Sequence, residues 1–269
     1  MIIHNIDPTL IDFGFFQIKW YSISYILGIL FGWLYAKKII LKISQNTQGF
    51  KSIKISEFDD LLIYLVLGIV VGGRFGYIIF YNFEYYSLNL SEIFKIWHGG
   101  MSFHGGLIGV IIATLTFSKY RKINFFKLSD LIACVAPIGI FLGRIANFIN
   151  GELFGKITTL PWGIIFPNAG NIPRHPSQIY EAALEGIILF ILINFLAFKK
   201  NFIFKPGYIS GIFLILYSIL RIFSEIFREP DKHIGYILNY FSMGVLLSIF
   251  TLIVGFIIIF SIKKNEQNN

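Results

Sequence analysis

The sequence predicts an all-α polytopic membrane protein, a single integral membrane domain over residues 1–269, with seven transmembrane helices, an outer N-terminus and a cytoplasmic C-terminus. Three observations predict it. Hydrophobic residues make up 55% of the chain and charged residues only 14%, where a soluble domain carries about a quarter charged. Seven apolar runs, near 20–40, 59–81, 101–118, 128–149, 180–198, 207–226 and 237–262, reach or approach the length that crosses a bilayer as a helix, about 20 residues. Basic residues alternate between the loops: fourteen lie on one side (Lys37, Lys51, Lys119, Lys127, Lys199 and Lys263 among them) and six on the other. The richer side is cytoplasmic by the positive-inside rule.

Composition also excludes. The net charge of +8 is spread between apolar runs, the ordinary membrane pattern and not a nucleic-acid face. The one cysteine, Cys134, sits inside the fourth run, where a lone thiol reads as packing. No basic segment precedes the first run, so it reads as a retained helix and not a cleaved signal peptide. Neither HExxH nor CxxC occurs, and no serine elbow or phosphate-binding loop is present, so neither a metal nor a cofactor is expected.

Along the chain, run one opens at Trp20-Tyr21, where an aromatic belt is the reading that the residues alone favour. Run two ends in Gly72-Gly73-Arg74. Run three, short and glycine-rich, is entered from the outer side through His98-Gly99-Gly100-Met101-Ser102-Phe103-His104-Gly105-Gly106. Run four carries no charge between Asp130 and Arg144, then ends in Arg144, Asn147, Asn150 and Glu152, closing at Gly155. The outer-face loop 150–179 is stiffened by Pro161, Pro167, Pro173 and Pro176. Run five starts at Tyr180-Glu181. Run six ends with Tyr217, Arg221, Glu225 and Arg228, spaced to share one helix face.

Polar groups inside apolar runs are functional-site candidates by default. Arg74, Arg144 and Arg221 lie in the last third of runs that all travel outward, which predicts three guanidinium groups at one depth near the outer face. Each has two readings: a headgroup anchor, or a fork that binds phosphate through paired N–H donors. Small neighbours such as Gly73, Gly143 and Ser218 allow close approach and favour the second. His104 is either part of a glycine-softened helix entry or a general base, since imidazole titrates near neutrality. Arg221 with Glu225 is an ion pair, a site, or both. A transporter would place broken helices near the midplane, and an assembly protein would leave the loop motifs without a use.

These residues carry a resemblance. Trp20-Tyr21, Gly72-Gly73-Arg74-Phe75-Gly76-Tyr77, Gly99 to Gly106, Gly143 to Gly155, Arg174-His175-Pro176-Ser177-Gln178-Ile179-Tyr180-Glu181 and Arg221 to Asp231 follow in the order of the prolipoprotein diacylglyceryl transferase family, which the chain resembles almost end to end. The resemblance implies a seven-helix enzyme of the bacterial inner membrane with its active site toward the periplasm. It implies transfer of the diacylglyceryl group of phosphatidylglycerol to the lipobox cysteine thiol of a preprolipoprotein signal peptide, with glycerol 1-phosphate leaving. It also implies that Arg144 contacts the lipid phosphate, that Arg221 is essential at the site, and that Tyr21, His104, Asn147, Glu152 and Gly155 hold functionally important positions. Asn150, Arg74 and Tyr217 join the expected lipid-binding set from their own placement. Ala146 stands where the family usually has glycine, and His98 where relatives often carry an acid, so His98 inherits no role.

Overall fold

The computed structural model describes residues 2–14, 17–45, 53–230, 235–237 and 240–268. Lys51, Asp231 and Lys232, counted above among the loop charges and motif residues, lie outside the described residues. All seven apolar runs fall on helices: α1 (Trp20–Gln45), α2 (Ile55–Tyr81), α4 (Phe103–Arg121), α5 (Phe125–Ile149), α6 with its continuation to α7 (Ser177–Glu181, Leu189–Lys199), α8 (Tyr208–Glu225) and α9 (Met243–Asn268). A short α3 (Phe83–Leu88) lies between α2 and α4. Among the described residues, five helices are long and apolar enough to cross a membrane: α2, α5, Ser177–Lys199, α8 and α9. The protein is a mostly helical, multi-pass membrane protein.

Local chemistry sets the helix ends. The Glu57 carboxylate accepts the Lys54 N–H at 2.8 Å before α2, Ser102 Oγ accepts the Gly105 N–H before α4, and Asn124 Oδ1 accepts the Phe126 N–H before α5, each satisfying donors that a helix start leaves orphaned. Run seven starts later than its hydropathy suggests. Tyr236–Ile237 pairs antiparallel with Phe241–Ser242, and this hairpin spends the first residues of the apolar run before α9 begins.

The chain forms two compact units, residues 37–129 and residues 1–36 with 130–269. In the first, α2 and α4 pack through glycine. A Cβ on Gly109 would collide with the Gly68 carbonyl oxygen, and one on Gly105 with that of Gly72. The small-xxx-small spacing of Gly68, Gly72 and Gly76 therefore lets two backbones touch, the usual solution where no hydrophobic effect drives helices together in lipid. Leu67, Val71, Phe75, Ile108 and Ile112 flank the seam with exposed apolar side chains.

In the second unit, Gly28 on α1 approaches the Gly139 Cα of α5, and Gly211 on α8 approaches Gly255 on α9. Asp130 on α5, 1% exposed, accepts the Gly207 N–H at 2.6 Å and the Ser210 N–H at 2.7 Å, and the Ser210 hydroxyl donates to it at 2.6 Å. One carboxylate thus caps the start of α8 and ties it to α5, complementing the helix dipole. Cys134 is buried and free. Three strands of two residues, β1 (Ile2–Ile3), β2 (Ile164–Ile165) and β3 (Pro173–Arg174), form a small sheet in the order β1-β2-β3 and organise the loop after α5.

The α2–α4 seam predicts that Gly109→Leu is destabilising. Thermal unfolding in detergent should reveal a loss of about 1–3 kcal/mol, as overpacking costs, whereas Leu107→Ile on the exposed side of α4 leaves the melting temperature unchanged.

Candidate active site

Three arginines and three glutamates meet in the second unit. Arg144, near the end of α5, places Nε 2.9 Å from Glu181 Oε2 and Nη2 3.2 Å from Glu185 Oε2. Arg221 on α8 places Nη1 3.2 Å from Glu181 Oε2 and 3.4 Å from Glu185 Oε1, while its Nη2 pairs with Glu225. Arg228 adds Nη1 at 3.3 Å from Glu181 Oε1. The Ser224 hydroxyl donates to Glu185 Oε1 and the Ser242 hydroxyl to Glu225 Oε2, both at 2.9 Å. A Cβ on Gly244 would collide with the Glu225 carboxylate, so a larger residue there would displace Glu225 from this position. Glu185 is fully buried and Arg221 nearly so. Unpaired charges at such sites cost several kcal/mol each, which is why the carboxylates and guanidiniums occur in equal number.

Arg144 differs from Arg221 in one respect. Its side chain keeps 17% exposure, and Nη1 has no ion-pair or hydrogen-bond partner among the described residues. Two carboxylates fix the plane of the guanidinium, and one edge is left to donate outward. The carboxylates come from a helix that departs from α geometry: residues Ala182–Ile188 form a π-helical segment, a feature that recurs at functional sites. Gly186 in that segment packs on Phe141 of α5, where a Cβ would come within 2.6 Å of the phenylalanine Cβ. This close approach brings Glu185 to Arg144.

Beyond Arg144 the end of α5 builds a polar cluster. Asn147 Nδ2 donates to Glu152 Oε1 at 2.7 Å and Asn150 Nδ2 to the same oxygen at 3.4 Å. Gln178 Nε2 donates to the Glu152 carbonyl at 2.6 Å, and the Ser177 hydroxyl to the Leu153 carbonyl at 2.9 Å. Gly151 and Leu153 take φ of +64° and +56°; for leucine that left-handed conformation costs on the order of 1 kcal/mol, and the Ser177 and Gln178 bonds hold it. The Tyr21 ring lies tilted against Tyr25 with centroids 5.2 Å apart, and the Tyr25 hydroxyl lies in the field of Glu152. Tyr217 lies in the combined field of Glu185, Arg221 and Arg144. Gly155 is buried, and a Cβ there would meet the Phe227 carbonyl oxygen at 2.5 Å and the His175 Cβ at 2.6 Å; its contribution is to let two segments cross. His175 sits in that crossing with Nδ1 3.2 Å from the Tyr180 hydroxyl, and burial, then the nearby Lys156, pulls its imidazole below the ordinary value.

The other unit holds Arg74 and His104. Arg74 corrects an expectation. All five of its N–H groups face backbone carbonyls: Nε donates to Ile93, Nη1 to Gly99 and Gly100, and Nη2 to Glu92 and Lys95. Its guanidinium also lies 5.0 Å from the Tyr86 ring centroid. A saturated fork has no donor left for phosphate, so Arg74 organises the segment 83–100 instead. His104 is exposed in the first turn of α4, beside Phe103.

Of the residues that the sequence singled out, Arg144 and Arg221 share Glu181 and Glu185, Arg221 pairs with Glu225, and Asn147 and Asn150 bond Glu152. Glu185 and the ion-pair partners of Glu181 were not among the expectations, because their arginines come from other helices. Two glutamates one turn apart inside run five were a signal of the same kind as an arginine in an apolar run.

Comparison with known proteins supplies a family. Residues 8–261 match the sequence profile described as prolipoprotein diacylglyceryl transferase. The chain is similar to proteins named phosphatidylglycerol–prolipoprotein diacylglyceryl transferase: 51% identical over 255 residues to that of Rickettsia canadensis (strain McKiel), covering 95% of this chain and 96% of the relative. It is 50% identical over 255 residues to that of Rickettsia felis, with the same coverage, and 50% over 266 residues to that of Rickettsia bellii (strain OSU 85-389), covering 99% of this chain and 98% of the relative.

The segment that Arg74 organises carries a pH prediction. Hydrogen bonds from Lys95 and His98 hold the Glu92 carboxyl below its ordinary range, while Arg74 binds the Glu92 carbonyl. A depressed carboxyl contributes stability above its unfolded value and loses it as pH falls through the folded value. Trp97 fluorescence in this segment should therefore be constant at neutral pH and shift as pH falls below the glutamate range. In Glu92→Gln the same titration should be flat.

Proposed function

The chain belongs to the prolipoprotein diacylglyceryl transferase family and is a transferase, and on that premise we propose the reaction that it performs. It moves the sn-1,2-diacylglyceryl group of phosphatidylglycerol onto the lipobox cysteine thiol of a preprolipoprotein and releases glycerol 1-phosphate, the first step of bacterial lipoprotein maturation. The relatives' names supply the lipid and the protein substrate. Arg144, a part-exposed guanidinium pinned by two buried carboxylates with Nη1 bonded to none of the described residues, is the observation that carries the reading.

The thiol sulfur attacks the glyceryl carbon that bears the phosphate. A C–S bond forms, the C–O bond breaks, and its electron pair stays on the phosphate oxygen. Phosphate charge grows during the step, and a donor already fixed in place stabilises it without reorganisation. Arg144 is assigned to that oxygen cluster. Arg221, enclosed by three carboxylates, holds Glu181 and Glu185 in register and acts on the phosphate through Arg144. Asn147, Asn150 and Glu152 receive the headgroup, Tyr21 and Tyr217 border it, and Gly155 shapes the wall by packing. Thiols ionise near pH 8.5 and benefit from a base; we assign that proton to His104, since imidazole chemistry suits general-base work. The nucleophile belongs to the substrate, so buried Cys134 has no part. We place the enzyme in the bacterial inner membrane, crossing seven times with the N-terminus and active site toward the periplasm, as the loop charges imply.

Purified chain incubated with phosphatidylglycerol vesicles and a lipobox peptide should add one diacylglyceryl mass to the peptide and release an equal amount of glycerol phosphate. Lipid loss with no gain in peptide mass points to a lipase or transporter. Arg144→Lys, which loses the fork, should lower turnover about a hundredfold; normal turnover contradicts phosphate binding through Arg144. His104→Gln should lower turnover and alter its pH profile, and an unchanged rate and profile remove His104 as the base.

A further inference from the structure

The first residues of the chain take no part in the transfer chemistry, yet they are tied closely to the site. β1 (Ile2–Ile3) pairs parallel with β2 (Ile164–Ile165), and the His4 N–H that follows donates to the Ile165 carbonyl at 2.8 Å. This register brings His4 to the turn that carries Glu152. A Cβ built on Gly151 would stand 3.4 Å from His4 Cε1 and Nδ1, so one edge of the imidazole lies against that glycine. The same ring stacks on Phe166 with centroids 5.3 Å apart and an interplanar angle of 30°, and meets Phe148 of α5 edge-on, also at 5.3 Å. Phe166, fully buried, stacks in turn on Phe154 at 5.7 Å, and the Arg174 guanidinium lies 5.0 Å from the Phe154 ring centroid.

These contacts bracket Glu152 in sequence, with Phe148 and Gly151 before it and Phe154 after it. The two left-handed residues, Gly151 and Leu153, flank it as well. Aromatic pairs in stacked and edge-on arrangements are directional, so the rings fix the angle of the turn as well as its distance from α5. His4 is 8% exposed, and its Nε2 is buried with no hydrogen-bond partner among the described residues. A buried nitrogen in that state costs free energy, so the contribution of the ring is its flat shape and not a bond.

We propose that His4 is a positioning residue for the transfer: the N-terminal strand carries its ring to the Gly151–Phe154 turn and so sets where Glu152 holds its carboxylate for the lipid. This deepens the proposed transferase reading and rests on it. Without the ring, Gly151 loses the wall that limits a backbone of wide conformational freedom. The Glu152 carboxylate then leaves the Asn147 and Asn150 amides that bond it at 2.7 and 3.4 Å. A displacement of about 1 Å is enough to matter at a reacting site.

The test uses the full chain, phosphatidylglycerol vesicles and a lipobox peptide, with KM measured for each substrate in turn. His4→Ala should raise KM for the lipid about tenfold, the size of one lost hydrogen bond to a charged group, and leave KM for the peptide unchanged. His4→Phe, which keeps a flat ring and removes the unmet nitrogen, should restore the lipid KM. Should His4→Ala fail to fold, His4→Leu, which keeps volume without a flat ring, should give the same split in smaller amount. Three results overturn the proposal. One is a rise in both KM values alike. Another is a fall in kcat and melting temperature with neither KM changed, which a purely structural histidine would give. The third is a His4→Phe variant as impaired as His4→Ala, which would make the imidazole nitrogens the active groups. An intact protein that transfers nothing to the peptide removes the transferase reading itself, an outcome distinct from these three.

Discussion

Charge neutrality in a low-dielectric interior is the constraint on which the rest of the site depends. Arg144, Arg221 and Arg228 face Glu181, Glu185 and Glu225, and none of the six tolerates losing its counter-charges. Pairing of this kind contributes little net stability against a hydrophobic alternative. What it contributes is position. Every carboxylate bridges at least two guanidiniums, so the network has essentially one arrangement, and that arrangement fixes Arg144 with one edge free.

Much of the surrounding packing serves that arrangement. Gly186 brings the π-helical segment onto α5, Gly244 lets α9 start against Glu225, and Asp130 ties the beginning of α8 to α5 at the opposite end from the arginines. A helix pinned at one end by a carboxylate and at the other by ion pairs has little freedom to slide. The Glu152 cluster extends the same logic past the helix end: one carboxylate accepts from two amides, the Glu152 carbonyl from a third, and a leucine in a left-handed conformation is held by the hydroxyl and amide that follow the loop prolines. A polar wall built this way needs no rearrangement when charge develops beside it.

How far this was legible in the sequence depends on the range of the interaction. Helices and their approximate bounds follow from hydropathy, a local property: each of the seven runs carries a helix, and among the described residues five helices are long and apolar enough to cross a membrane. The ends moved where side chains or hairpins intervened, as at Tyr236–Ile237 before α9. Arg144 and Arg221 were legible because charge inside an apolar run is locally conspicuous. Arg74 was conspicuous for the same reason and led to a different role, since its partners are backbone carbonyls up to 26 residues away, and no local pattern marks a carbonyl as available. Glu185 and the orientation of Gln178 depend on contacts between helices far apart in the chain. The π-helical segment and the positive φ of Leu153 are tertiary outcomes that leave no periodic trace.

The central claim is that buried carboxylates act by holding Arg144 toward the lipid phosphate. A double-mutant cycle on Arg144→Ala and Glu185→Gln, read as kcat/KM for peptide lipidation from phosphatidylglycerol, tests it most directly. The account predicts that each single variant loses about a hundredfold and that the double variant is no worse than Arg144→Ala, because Glu185 has nothing left to orient. Losses that multiply in the double variant would show the two residues acting independently and would contradict the account.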